Sequence, residues 1–346
     1  MKILNYLDRA KAIARGNDPY PISFEIDPSN VCNHRCIWCM YKEFMQRDRS
    51  VISKRDFYGI IDQIIALGGK SITFTGGGEP LSNPETINAL SYVKQKGASV
   101  ALITNGGLLD SERCRTVVKH CSYVRISLDA GKTETHSQLH RPRESRKDNF
   151  TTILDNIGEL IRWKKKLRKE IKIGIGYLVH PLNNHEVIKV IREVKQMGAD
   201  YIQIRPVCDS KGNFSPYQDG TLTEFQCEVP ALLELGDEHF DVFPLLHRFD
   251  ELQATQRGYE VCRAHTLVGI VGADCNVYLC CQLKGQQLYN MGNLKNMTFD
   301  EIWRSQRRRD IIDKIDISKC PPCRYNKYNE VLEYLSEEDR IHREFL

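Results

Sequence analysis

Three cysteines fall within eight residues, Cys32, Cys36 and Cys39, in the stretch Val31-Cys32-Asn33-His34-Arg35-Cys36-Ile37-Trp38-Cys39. Thiolates at this C-x3-C-x2-C spacing suit a soft metal centre. A closed zinc site would need a fourth ligand, and His34, between the first two cysteines, is badly placed to fold back onto the same ion. Three thiolates suit a [4Fe–4S] cluster, which four cysteines normally saturate. One iron is then open to a substrate or cofactor, as in catalytic metal sites.

The chain has 346 residues and thirteen cysteines. Six more of these crowd the last quarter: Cys262, Cys275, Cys280, Cys281, Cys320 and Cys323. In a reducing compartment such spaced clusters favour metal ligands over disulfides. Cys114, Cys121, Cys208 and Cys227 are scattered and read as small core residues. Net charge is a mild +4. The basic run Arg162 to Glu170 reads as the solvated end of a helix, without the interleaved aromatics of a nucleic-acid platform. No apolar run approaches the roughly 20 residues of a membrane span. The N-terminus has apolar residues at Ile3, Leu4, Leu7, Ala10 and Ile13, a helical spacing broken by charges and not a signal peptide. A cytoplasmic protein is expected, with no membrane or nucleic-acid partner.

Positioning the first cysteine cluster falls to an alternation of strands and helices. Strands are expected at Ile22 to Asp27, Ser71 onward, Ser99 to Gly106, Tyr123 to Ala130, Ile171 to Val179 and Asp200 to Val207. Helices lie between them: Ser53 is the N-cap of one, and Pro84 falls in the first turn of another. Six β–α alternations imply a parallel sheet, and the glycine-rich punctuation follows the strands at their C-terminal ends, the chemical face of a parallel barrel. The expected fold is α/β: a partly open (β/α)6 barrel over 21–215 after an N-terminal helix in 1–20. A linker at 216–260 follows, with 209–220 loop-like. A small cysteine-organised hairpin and helix domain covers 261–330, its turn near Ala273-Asp274 and its helix capped by Thr298, and a tail covers 331–346.

C-x3-C-x-aromatic-C after a first strand, with Gly76-Gly77-Gly78-Glu79-Pro80 after the second and Ser127-Leu128-Asp129-Ala130 after the fourth, resembles the radical S-adenosylmethionine (SAM) superfamily. The resemblance implies that the open iron chelates the amino and carboxylate groups of SAM. Reductive cleavage then gives a 5′-deoxyadenosyl radical that takes hydrogen from a substrate. It implies that Trp38 packs near adenine and that Gly77, Gly78 and Glu79 receive the methionyl amino group. Asn105, Ser127 and Asp129 are implied as further SAM contacts, and the backbone near Leu178 as the adenine site. Arg141 and Arg143 read as exposed loop residues.

The segments Ala273 to Cys280 and Met291 to Ser305 resemble the SPASM and twitch domains of this superfamily, which hold auxiliary iron–sulfur clusters. No cysteine follows Cys323, so the shorter twitch form is implied, with Cys262, Cys280, Cys320 and Cys323 closing one auxiliary [4Fe–4S] cluster. A zinc ion on the same thiolates is the alternative. Cys281 competes with Cys280 for the ligand position, and Cys275 stands where a turn glycine is usual. A saturated cluster passes electrons and does not bind substrate. The resemblance therefore favours oxidation of a hydroxyl-bearing small molecule of sugar or aminocyclitol type, with a flavodoxin-like or ferredoxin-like electron donor. The alternatives are a radical epimerase with a cysteine hydrogen donor, Cys208 after the sixth strand being best placed, or peptide modification. About 20 residues before the first strand are few for a peptide-leader module. Tyr177, His180, Gln203 and Arg205 are expected to face the barrel interior.

Overall fold

The computed structural model describes residues 2–143, 148–208, 221–251, 257–321 and 323–336. Ten strands lie in these residues: β1 (Ser23–Ile26), β2 (Ser71–Phe74), β3 (Ser99–Thr104), β4 (Tyr123–Ser127), β5 (Lys172–Val179), β6 (Tyr201–Pro206), β7 (Asp241–Pro244), β8 (Val268–Val271), β9 (Asn276–Tyr278) and β10 (Asn290–Asn293). They form one sheet in the order β10-β9-β8-β1-β2-β3-β4-β5-β6-β7. The six expected strands are β1 to β6, all parallel.

Two features differ from the sequence expectation. A seventh parallel strand, β7, pairs with β6 and falls in the segment read as a linker, after the helix Thr221–Leu233. The C-terminal hairpin is not set apart: β8 runs parallel to β1 with Glu25 opposite Ile270, and β9 and β10 follow antiparallel. The expected loop at 209–220 lies outside the described residues.

Alternation along the strands decides which face is which. Phe24, Ile26, Ile72, Phe74, Val124, Ile126, Ile173, Ile175, Ile202 and Ile204 are buried in the main core. Ser23, Glu25, Ser71, Thr73 and Tyr123 take the other face and line one cavity, the lower part of the lumen. That face thus brings polar side chains into the lumen among aliphatic ones such as Val268. Tyr177, expected inside it, instead has the parity of the core face, is fully buried, and donates from its hydroxyl to the Asn183 carbonyl at 2.7 Å.

The helices follow local chemistry. Ser53 caps Lys54–Ala66 by accepting from Asp56 N at 3.1 Å. Thr298 and Glu301 form a capping box on Phe299–Trp303. The helix expected onward from Thr298 is broken, because Ser305 caps a second one, Gln306–Asp313. Pro84 precedes its helix, which begins at Thr86. At the N-terminus Ile3, Ala10 and Ile13 are buried, while Leu4 and Leu7 are exposed. No described helix is long and apolar enough to cross a membrane.

Phe24 ties the two halves together. Its ring meets Phe299 edge-on with centroids 5.2 Å apart, and a Cβ on Gly269 of β8 would lie 2.6 Å from it. Glycine at 269 is what lets β8 close on β1 at this point. Phe24→Ala should therefore lower stability by about 3–5 kcal/mol through a cavity under both strands, read as a lower midpoint in denaturant unfolding. A change under about 1 kcal/mol would contradict this packing role.

Candidate active site

The three-cysteine loop leaves β1 and is fixed by three other loops. Ser29 bridges Val51, and Asn30 N donates to Ser50 O at 2.8 Å. Gly78 N donates to Ser29 O and Glu79 N to Val31 O, both at 2.9 Å. Arg35 N and Ile37 N donate to His140 O and Leu139 O, and Arg143 N to Asn33 O. The Arg141 and Arg143 side chains stay exposed, and it is backbone that holds the loop. A Cβ on Gly78 would fall 2.3 Å from Val31 O, and one on Gly77 2.5 Å from Asn30 Oδ1. The glycines are thus demanded first by the cysteine loop itself.

Glu79 is buried, and its carboxylate is used internally. Oε1 accepts from Leu81 N at 3.1 Å and Thr104 Oγ1 at 2.6 Å, and Oε2 accepts from Asn105 N at 2.8 Å. Burial still pushes the carboxyl above its ordinary range. The Asn105 amide donates to Asn33 Oδ1 at 2.7 Å and reaches Cys32 Sγ at 3.9 Å, so it orients the cysteine loop. Asp129 is a brace: Oδ1 accepts from Leu178 N at 2.6 Å, and Oδ2 lies 3.1 Å from His140 Nε2. The Leu178 carbonyl accepts from Asn183 Nδ2 at 2.9 Å. An adenine at Leu178 would thus find its N–H taken. Ser127 faces the lumen from the end of β4, and its hydroxyl makes no hydrogen bond among the described residues. Trp38 lies between the rings of His140 and His180, with centroids 5.8 and 5.5 Å away.

Sequence reasoning missed a histidine cluster. His34 does turn back toward Cys36, with both ring nitrogens buried and unpartnered. One atom each of His34, Cys36 and His140 lies within 4.8 Å of the others, and Cys36 Sγ is 3.2 Å from His140 Nδ1. Burial, with His140 and His136 adding, pushes the His34 imidazole down to about 3. His140 goes the other way, to about 10: burial opposes its charge, but Cys36 and Asp129 together outweigh it.

The four C-terminal cysteines converge. Cys262, Cys280, Cys320 and Cys323 line one cavity with largely apolar walls that include Ile270, Leu279, Ile315 and Tyr325. Cys281 does not line it and sits instead against Ile270 and Tyr278. Cys275, in the hairpin turn at φ +64°, holds a left-handed conformation that favours glycine. Arg257, which no spacing rule flags, clamps the C-x2-C loop. Its guanidinium donates to the carbonyls of Ile317 at 3.0 Å, Cys320 at 2.6 Å and Pro321 at 3.2 Å. Asn329 Nδ2 reaches Cys262 Sγ at 3.8 Å, and Tyr325 N reaches Cys323 Sγ at 3.3 Å.

A buried ion pair joins the two cysteine sites. Lys284, just past Cys281, pairs with Asp27 at the end of β1 and stands 4.1 Å over the Tyr41 ring. Asp27 also accepts from Gly77 N at 2.9 Å, and the Tyr41 hydroxyl donates to Cys281 O at 3.1 Å.

Both cysteine sets fit metal clusters. Burial pushes the Cys32 thiol up to about 12, with Glu79 next, and pushes Cys39 to about 11 and Cys323 to about 12. Thiols so placed ionise only when a cation compensates them. Beside Gly77, Asp27 Oδ1 and Asn30 Oδ1 are buried acceptors without a donor, which suits an ammonium group nearby.

Comparison with known proteins agrees with this reading. The profile of the radical SAM superfamily matches residues 26–194, and that of an iron–sulfur cluster-binding domain, SPASM, matches residues 262–325. The chain is 24% identical to the AdoMet-dependent heme synthase of Methanosarcina barkeri, over 94% of this chain and 97% of that protein. It is 28% identical to the GTP 3′,8-cyclase of Lactiplantibacillus plantarum, over 52% of this chain and 53% of that one. In fold it is similar to Streptococcus suis SuiB bound to S-adenosylmethionine, with a TM-score of 0.67 and 15% identity over 90% of this chain and 72% of that one. The SuiB fold has also been solved with a precursor peptide, SuiA. With its radical SAM domain, its C-terminal SPASM domain and the cluster and SAM sites these carry, the chain belongs to the radical SAM superfamily.

Proposed function

We propose that this radical SAM enzyme oxidises a small, hydroxyl-bearing molecule of sugar or aminocyclitol type. The observation that carries the reading is the convergence of Cys262, Cys280, Cys320 and Cys323 on one enclosed apolar cavity. When bound, the clusters and SAM supply one-electron chemistry: reductive cleavage of SAM at one end and an electron sink at the other. Four thiolates saturate the auxiliary position, so it has no iron vacant for substrate and is suited to accept an electron. Oxidising an alcohol to a ketone removes a hydrogen atom, a proton and one electron, and the last needs such an acceptor.

The chain's own residues divide the remaining work. Cys32, Cys36 and Cys39 hold the open cluster. Trp38, the Gly77-Gly78 turn and the Ser127 hydroxyl border the SAM site. Glu79, Asn105 and Asp129 act from behind, fixing the ends of β2, β3 and β4, and Leu178 closes the β5 side through its hydrogen bond to Asp129. Reducing electrons come from a flavodoxin-like or ferredoxin-like donor, in the cytoplasm.

A radical epimerase is the second reading, and one observation favours it. Cys281 is buried with Arg324, Glu25, Lys284 and Asp27 as its charged neighbours, beside the first cluster's loop. With its carbonyl bonded to Tyr41 of that loop, it joins Cys208, half-buried just after β6, as a candidate hydrogen donor. Peptide modification is supported only by likeness of fold.

Two outcomes test this. Anaerobic reconstitution should load about eight irons per chain, falling to about four in the double variant Cys320→Ala/Cys323→Ala, while Cys281→Ala keeps about eight. A wild-type value near four would remove the auxiliary cluster. Turnover in D2O should give a ketone without carbon-bound deuterium, at one SAM consumed per product. Deuterium at an inverted carbon, lost in Cys281→Ala, would replace oxidation by epimerisation. Cys36→Ala must abolish SAM cleavage in either case.

A further inference from the structure

We infer that the upper lumen is an anion site, and that the molecule oxidised there carries a phosphate or carboxylate group held by Arg205 and Arg125. The inference rests on the reading of the barrel as a substrate chamber and adds the chemical class of what fills it.

Both arginines point into the lumen, from β6 and β4. On β5, Arg125 has Gly174 opposite it and Arg205 has Leu178, with Gly176 between those two positions. The Tyr201 ring covers Gly174, where a Cβ would fall 2.0 Å from it. Gly176 leaves the space above, where a Cβ would lie 3.6 Å from Arg125 Cδ and 3.6 Å from Arg205 Nη2. Both side chains therefore reach the space over Gly176. Arg125 Nη1 donates to the neutral Gln203 Oε1 at 2.9 Å. Arg205 Nε is shielded from solvent and has no hydrogen-bond partner among the described residues.

Each acidic group near the lumen already faces a cation or a donor, although Asp27 Oδ1 and Glu251 Oε1 keep no donor of their own. Glu25 pairs with Arg324, and Asp27 with Lys284. Asp129 is held by Leu178 N and His140, and Glu251 by Arg248. Two positive charges are left facing each other in a partly dehydrated chamber, where like charges repel strongly. The strain shows on Arg205, whose affinity for its proton is brought down to about 9 by burial and then by Arg125. A guanidinium fork in such a place suits the bidentate capture of an oxyanion.

The test uses the reconstituted holoenzyme with SAM bound, kept anaerobic, and calorimetric titration with inorganic phosphate in one arm and acetate in the other. At least one anion should bind, and Arg205→Gln should weaken it about tenfold or more, the worth of one charge-assisted hydrogen bond. Arg205→Lys should recover part of the loss, and Arg125→Gln should weaken the same anion. The SAM dissociation constant should stay within about twofold in Arg205→Gln. In anion-free buffer Arg205→Gln should melt no lower than wild type, since it removes an unpaired charge, and phosphate should raise the wild-type midpoint more than the variant's. Binding of neither anion, or binding indifferent to Arg205→Gln and Arg125→Gln, overturns the inference. So does a tenfold loss of SAM affinity in Arg205→Gln, which would make the anion SAM's own carboxylate. The oxidation reading fails separately, if wild type with two clusters loaded cleaves no SAM.

Discussion

The short strand β1 is hydrogen-bonded on both sides, to β2 and to β8. Everything chemical in the molecule hangs from that arrangement. Its C-terminal end launches the three-cysteine loop, β2 ends in the glycine turn that pins the loop, and β8 leads into the hairpin of the auxiliary site. A single-residue slip of either pairing would turn Phe24 and Ile26 into the lumen and Glu25 into the core. The hydrophobic contrast of these residues therefore sets the register, and the register sets how the two cysteine sites face each other.

The loops above the sheet are locked by buried polar groups with few alternatives. Lys284 and Asp27 span the two sites, and removing either would leave an uncompensated buried charge, a large penalty. Asp129 ties β4, β5 and His140 into one unit, and through His140 it reaches the Cys36 sulfur. These groups hold the thiolate environment rigid, so that a cluster placed there meets a preformed site.

Much of this was legible in the sequence, for physical reasons that differ by residue. Cysteine spacing and a glycine run carry their own signal, because few residue types can replace them. β1, β2, β4 and β6 were legible because their buried residues alternate, and β3 and β5 as short apolar runs between helices. The seventh strand, Asp241–Pro244, was hidden by its shortness and by the absence of glycine-rich punctuation. Tyr177 was misplaced because its run, Lys172–Val179, is apolar on both faces: Gly174 and Gly176 make the lumen side read as core. Asp129 and Glu79 were found by position, but the motif does not say where a carboxylate points, and here both are turned inward. Arg257, Asn329 and the His34–His136–His140 group lie far from their partners in sequence or carry no spacing rule. Only the fold brings them to the sulfurs.

The proposed oxidation requires one cysteine site to be open and the other closed. Electron paramagnetic resonance of the reduced holoenzyme, with SAM labelled by ¹⁵N at its amino group and ¹⁷O at its carboxylate, tests it most directly. Hyperfine coupling to both labels should fall on the signal that survives when Cys262, Cys280, Cys320 and Cys323 are replaced, and the auxiliary signal should not change when SAM is added. Coupling at the auxiliary centre, or at neither centre, would rule out this division between an open and a closed site.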